Sequence, residues 1–121
     1  MSLPTLMVLD RDDRTAAVTA CALKPHAKRV QTFNDPDAAV DLFARNPGTY
    51  DMVVIDAVLC SVSGAEVARE MRALRGDVAI VLTAPASVLG FLDALEDKPF
   101  NCAATKAQLW EAPHEILRKA A

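Results

Sequence analysis

Four segments of this chain end on a residue able to do chemistry. Leu6-Met7-Val8-Leu9 runs into Asp10, with Arg11-Asp12-Asp13 behind it. Met52-Val53-Val54-Ile55 ends on Asp56, Val78-Ala79-Ile80-Val81-Leu82 ends on Thr83, and Asn101–Thr105 leads into Lys106. An aspartate that closes a fully apolar run cannot stay charged beside a core without a partner or a cation. Clustered carboxylates suit Mg²⁺, a hard cation that takes oxygen ligands and keeps several of its waters. Two carboxylates, a hydroxyl and an ammonium at one place would form a charged pocket of that kind.

The other reactive residue types give weaker signals. Cys21, Cys60 and Cys102 form no Cys-x-x-Cys pair, and their odd number argues against a disulfide framework. Cys60-Ser61 has no neighbouring base or cation in sequence to activate a thiol, while Cys21 and Cys102 fall on apolar stripes and read as core. His26 and His114 lack metal-ligand spacing and read as exposed. Lys24-Pro25-His26-Ala27-Lys28-Arg29 reads as a solvated basic loop, and Trp110 as the anchor of the last helix.

These residues must be positioned by short elements. Runs apolar at consecutive positions, as at 6–9, 52–55 and 78–82, suit strands covered on both faces. Arg29–Phe33 alternates and suits an edge strand, and Asn101–Thr105, small and partly apolar, suits another. Between them lie helical patterns. Residues 13–23 place Ala17, Val18, Cys21 and Ala22 on one stripe. Asp35-Pro36 opens a helix that Asn46-Pro47-Gly48 stops. Ser63-x-x-Glu66 is a capping box with Gly76 as the stop beyond. Residues 87–96 carry Val88, Phe91, Leu92 and Leu95 at helical spacing, and Pro113 sets the last helix to begin near Glu111.

Five strands alternating with five helices predict an α/β fold, a mainly parallel sheet with right-handed crossovers and helices on both faces. Ligands in such sheets bind outside the carboxyl ends of the strands, where Asp10, Asp56, Thr83 and Lys106 stand. The 121 residues read as one domain over 1–121, whether or not a longer parent chain surrounds it. With 52% apolar and 24% charged residues, the composition is that of a globular protein. A net charge of −3 disfavours general affinity for nucleic acid. No apolar run reaches membrane-spanning length and no secretory signal pattern opens the chain, so a cytoplasmic location is expected, with no membrane and no nucleic acid among its partners.

The segment Tyr50-Asp51-Met52-Val53-Val54-Ile55-Asp56-Ala57-Val58-Leu59-Cys60-Ser61-Val62-Ser63-Gly64 resembles the phosphoacceptor segment of response-regulator receiver domains of two-component signalling systems. There an aspartate ends the third strand and a glycine eight positions on opens the next helix, as Asp56 and Gly64 do here. The acidic cluster at Asp10, the Leu82-Thr83-Ala84 signature and a lysine after the fifth strand extend the resemblance over nearly the whole chain. It implies a flavodoxin-like (βα)5 doubly wound sheet of five parallel strands in the order 2-1-3-4-5.

The family lysine usually stands in a Lys-Pro-Phe-like tripeptide, and Lys98-Pro99-Phe100 offers one. Lys98 follows Thr83 by only fifteen residues, too few for a loop, a crossover helix of at least about ten residues and a strand of about five. Lys106, twenty-three residues on, leaves that room. Lys106 is therefore assigned, and Lys98-Pro99-Phe100 is read as a connection.

The resemblance implies that Asp56 accepts phosphate from a kinase histidine. Asp10, Asp56 and the Val58 carbonyl would hold Mg²⁺, and Thr83 and Lys106 would bind the phosphoryl oxygens. Implied partners are a sensor histidine kinase or a histidine phosphotransfer domain, and an effector domain or second copy meeting the face built by the fourth helix, fifth strand and fifth helix. The chain departs from the family pattern at several positions. Arg11 stands where a second acidic metal ligand is usual, with Asp12 or Asp13 as substitutes. Cys60 and Ala107 replace prolines, Ser63 replaces an aspartate, and Ala103 stands where an aromatic switch residue is frequent. A competing reading follows from Arg11: a receiver-like interaction module that neither binds Mg²⁺ nor accepts phosphate; on either reading the chain is expected not to be an enzyme. A flavodoxin-like cofactor binder or small hydrolase is disfavoured, because Asp10-Arg11-Asp12-Asp13 is an acidic, glycine-free loop and no Gly-x-Ser-x-Gly elbow occurs.

Overall fold

Each expected strand forms, although the last covers only Cys102–Ala104 of the expected Asn101–Thr105. The computed structural model describes residues 2–121. Strands β1 (Thr5–Leu9), β2 (Arg29–Phe33), β3 (Met52–Asp56), β4 (Ala79–Thr83) and β5 (Cys102–Ala104) make one parallel sheet in the order β2-β1-β3-β4-β5. Every residue of β3, the central strand, is buried, as its unbroken apolar run requires, whereas β2 at the edge keeps a partly wet face.

Alternation along the strands sends side chains to two cores. Met7, Leu9, Val53 and Ile55 face α2 (Pro36–Arg45), α3 (Gly64–Leu74) and Leu92 of α4 (Ala86–Asp93). Leu6, Val8, Val54 and Val81 face α1 (Asp13–Leu23), α5 (Lys106–Glu111) and α6 (Pro113–Ala120). Side-chain oxygens of Asp12, Asp35 and Ser63 cap the first turns of α1, α2 and α3, satisfying amides that no helical carbonyl can reach. At Ser63 only half of the expected box forms: its hydroxyl accepts the Glu66 amide at 3.1 Å.

Three expectations need correction. The buried face of α1 is Ala16, Thr19 and Leu23, not the stripe of Ala17, Val18, Cys21 and Ala22; Val18 and Cys21 are exposed. Thr19 is buried because its hydroxyl accepts the Trp110 indole N–H at 2.9 Å, which joins α1 to α5. The last helix begins at Lys106 rather than near Glu111 and is broken in two at Ala112, where Pro113 starts α6. A complete capping box between Thr105 and Gln108 opens α5. Phe91 does not face the core but stands 75% exposed on α4. The rings of His26 and His114 lie 6.0 Å apart, with His26 in a 3-10 turn (Lys24–His26).

Arginines of α3 and its C-cap tie down the amino-terminal edge of the sheet. Arg69 pairs with Asp97, and Arg72 donates to the carbonyls of Gly76 and Val78 and to Asn101 Oδ1. Arg75 donates to the carbonyls of Pro47 and Tyr50. Asn101 Oδ1 also accepts the Ile80 amide at 2.9 Å, so Arg72 holds the entry to β5 against β4.

Candidate functional site

Parallel pairing sets the carboxyl ends of β1, β3, β4 and β5 side by side. Asp10 follows Leu9, whose strand partner is Ile55, so Asp10 and Asp56 emerge as neighbours. Asp56 pairs in register with Thr83, and Thr83 with Ala104, two residues before Lys106. Asp10 and Asp56 are both buried, 2% and 7% exposed.

Each buried carboxylate is held in the same way. One oxygen turns back on its own chain: Asp10 Oδ1 accepts the Asp12 amide at 2.9 Å, and Asp56 Oδ1 accepts the Val58 amide at 3.0 Å, as aspartates in Asx turns do. The other oxygen meets Lys106, whose Nζ lies 2.9 Å from Asp10 Oδ2 and 3.0 Å from Asp56 Oδ2. Burial pulls the Lys106 pKa down, but the hydrogen bonds it donates to Asp10 and Asp56 outweigh this, so its ammonium holds its proton above the usual range.

One ammonium between two buried carboxylates leaves a net charge of −1. This residual charge faces a cavity of about 420 Å³ whose walls include Arg11, Asp12, Val58, Ala84, Thr105 and Lys106. The donor set fits Mg²⁺, which needs only one or two carboxylates when waters and a phosphate complete its shell. The protein side would be Asp10, Asp56 and the Val58 carbonyl. The described residues assemble no group of three His, Cys, Asp or Glu side chains able to hold a metal. Asp12 is at the cavity wall, but its Oδ1 caps α1 through the amides of Arg14 and Thr15, which also hold its carboxyl below the usual range.

Asp10, Asp56 and Lys106 thus meet, with Arg11, Asp12 and Val58 around the same cavity. Thr83 stands beside Asp56 in the sheet, buried, but does not line the cavity. Lys98 lies in the α4–β5 connection, exposed and with a positive φ of 35°. Two residues take roles at the site that were not expected of them. Thr105 both caps α5 and lines the cavity, and its signal was present as Thr105-x-x-Gln108. Gly64 lies so close to Asp56 that a Cβ there would overlap the Asp56 carbonyl oxygen and stand 2.7 Å from Ala57 Cα. Nothing in the local pattern announces that approach.

No protein-family model and no curated protein matches the chain. Solved structures do match. The response regulator protein TrrA of Thermotoga maritima, in complex with Mg²⁺ and BeF, is 21% identical, with a TM-score of 0.82 over 98% of this chain and 100% of that one. The chemotaxis response regulator CheY4 of Vibrio cholerae is 14% identical, with a TM-score of 0.82 over 99% of this chain and 100% of that one. The receiver domain of the histidine kinase CKI1 from Arabidopsis thaliana, complexed with Mg²⁺ and BeF3⁻, is 18% identical, with a TM-score of 0.73 over 95% and 90% of the two chains. The fold is that of response-regulator receiver domains. Among the described residues no helix is long and apolar enough to cross a membrane.

Proposed function

We propose that this chain is a phosphoryl-accepting receiver module of a two-component pathway, with Asp56 as the acceptor. The observation that carries the reading is the Lys106 ammonium bridging Asp10 and Asp56 at 2.9 and 3.0 Å on the wall of an open cavity. A carboxylate is a poor nucleophile, so the chemistry rests on positioning and charge neutralisation.

Asp56 Oδ2 attacks the phosphorus of a phosphohistidine on a sensor kinase or phosphotransfer domain. The new O–P bond forms as the N–P bond breaks, and the electron pair returns to the imidazole nitrogen. The Asp56 turn made by the Val58 amide fixes the carboxylate so that one oxygen stays aimed at the cavity. Lys106 releases Asp56 Oδ2 to the phosphorus and pairs with a phosphoryl oxygen, while Asp10 keeps the ammonium in place. Mg²⁺, when held by Asp10, Asp56 and the Val58 carbonyl, would neutralise charge on the transferring oxygens. The phosphorylated site carries about −1.5 to −2 charges, which draws the Thr83 hydroxyl and its loop inward. That movement reshapes the face of α4, β5 and α5, where an effector domain or a second copy would bind. Ala103 on β5 has no ring to rotate, so the loop after β4 carries the signal.

Intact-mass measurement after incubation with acetyl phosphate and Mg²⁺ tests this. A phosphoryl adduct is expected on the wild-type chain and none on Asp56→Asn; an adduct that survives Asp56→Asn, or none on either, rejects the assignment. The interaction-only reading draws on Arg11 at the cavity wall, and absence of phosphate on the wild type would favour it.

A further inference from the structure

Among the described residues, Arg11 is the one cation at the cavity wall besides Lys106. Among the described residues it forms no ion pair, whereas Arg69, Arg75, Lys106 and Arg118 all do. It follows the buried Asp10 directly, and the Asp10 turn that takes the Asp12 amide sets its backbone at the mouth of the cavity. An unpaired guanidinium placed there repels a divalent cation and attracts a phosphoryl group, to which it can offer two parallel N–H donors.

Charge balance gives the consequence. Once Asp56 carries a phosphoryl group of about −2 charge, Asp10 and Lys106 cancel each other and the whole dianion remains. Lys106 is then shared between Asp10 and the phosphoryl oxygens, so a second cation is required. We infer that Arg11 is a phosphoryl-binding residue of this cavity, and that its guanidinium retains phosphate on Asp56 without an obligatory divalent cation. The inference rests on Asp56 being the acceptor. With acetyl phosphate as donor the transfer balances without a proton: the Asp56 carboxylate forms an O–P bond, the acyl O–P bond breaks, and acetate leaves with the electron pair.

The test compares the wild-type chain, Arg11→Ala and Arg11→Asp, each incubated with acetyl phosphate in EDTA and in Mg²⁺. Adducts are read by intact mass, and Mg²⁺ affinity is read separately by calorimetry without phosphodonor. The wild type is expected to carry phosphate in EDTA at a level within a few-fold of that in Mg²⁺. Arg11→Ala should lose about tenfold or more of the adduct in EDTA, the value of one charge-assisted hydrogen-bonded contact. Arg11→Asp should bind Mg²⁺ more tightly than the wild type and be phosphorylated only with it. Phosphate on the wild type in Mg²⁺ but not in EDTA overturns this inference and leaves Asp56 as acceptor. An Arg11→Ala adduct unchanged in EDTA overturns it as well. No adduct in either condition rejects the acceptor reading itself.

Discussion

Gly64, at the first turn of α3, rests its bare α-carbon against the backbone of Asp56. Its amide donates to the Ala57 carbonyl at 3.0 Å, and a Cβ in its place would stand 2.9 Å from the Asp56 carbonyl carbon. Helix α3 and the Asp56 end of β3 are therefore one rigid joint. The glycine is required by proximity, since no glycine among the described residues has a positive φ.

Gly64→Ala sets a methyl group against backbone atoms that have no alternative rotamer. A loss of about 1–3 kcal/mol is expected, the range for overpacking, read as a lower denaturation midpoint at constant slope. Gly90→Ala is the control. Nothing lies within 4 Å of a Cβ at that α4 position, and a gain of about 0.5–1 kcal/mol is expected from helix propensity alone. A Gly64→Ala variant as stable as the wild type would contradict the close approach.

Lys106→Met keeps the stem and removes the ammonium. Two buried carboxylates then face each other with no cation, and a loss of about 1–3 kcal/mol is expected for the stranded acceptors. Because the bonds that Lys106 donates to Asp10 and Asp56 raise its pKa in the folded chain, the ammonium's contribution is fully present below its ordinary value near 10.5. It is lost as pH rises through the higher folded value. The stability gap between wild type and Lys106→Met should thus be constant at neutral pH and close in strong alkali. Tyr50, whose phenol burial pushes up from 10.0, titrates in the same window, but in both proteins, so it cancels in the difference. A gap that widens with pH would refute the assignment.

Arg72→Ala removes donors from two backbone carbonyls and from Asn101 at once. The arginine is partly buried, which lowers its own pKa below the usual value, and of the two residues whose carbonyls it leaves, Val78 is buried and Gly76 exposed. A cost of about 1–3 kcal/mol is expected, accompanied by faster amide hydrogen exchange at Ile80 and Asn101. Exchange unchanged at those two amides would show that β5 is held by other means.

Thr19→Val leaves the Trp110 indole N–H without its acceptor, and about 1 kcal/mol should be lost. Trp110 is the only tryptophan in the chain, so its emission reports the α1–α5 contact directly. An emission spectrum identical to that of the wild type would show that the bond is not formed in solution.

The strands were legible because a buried parallel strand must be apolar at consecutive positions, and runs such as Met52–Ile55 have no other economical reading. Asp10, Asp56 and Lys106 were legible for a related reason, since charge at the end of such a run must be compensated. The buried face of α1 was not. A hydrophobic pattern selects Val18 and Cys21 and passes over Thr19, whose burial depends on a hydroxyl acceptor for an indole ninety-one residues away. Phe91 misled in the opposite sense, being apolar and yet exposed. The break between α5 and α6 was half visible, in Pro113 but not in the Thr105–Gln108 box, which the strand reading of Asn101–Thr105 concealed. The seating of Gly64 on Asp56 depends on how two elements approach in space, and only the fold displays it.

The arginine ties at the end of α3 have a mechanical consequence. Arg72 and Arg75 hold main-chain carbonyls at one rim of the sheet, while at the opposite rim Lys106 ties the ends of β1 and β3 through Asp10 and Asp56. The two rims are therefore fastened by different means, guanidinium bonds to backbone at one and a single ammonium between carboxylates at the other. A change of charge at Asp56 acts on the second fastening and leaves the first untouched.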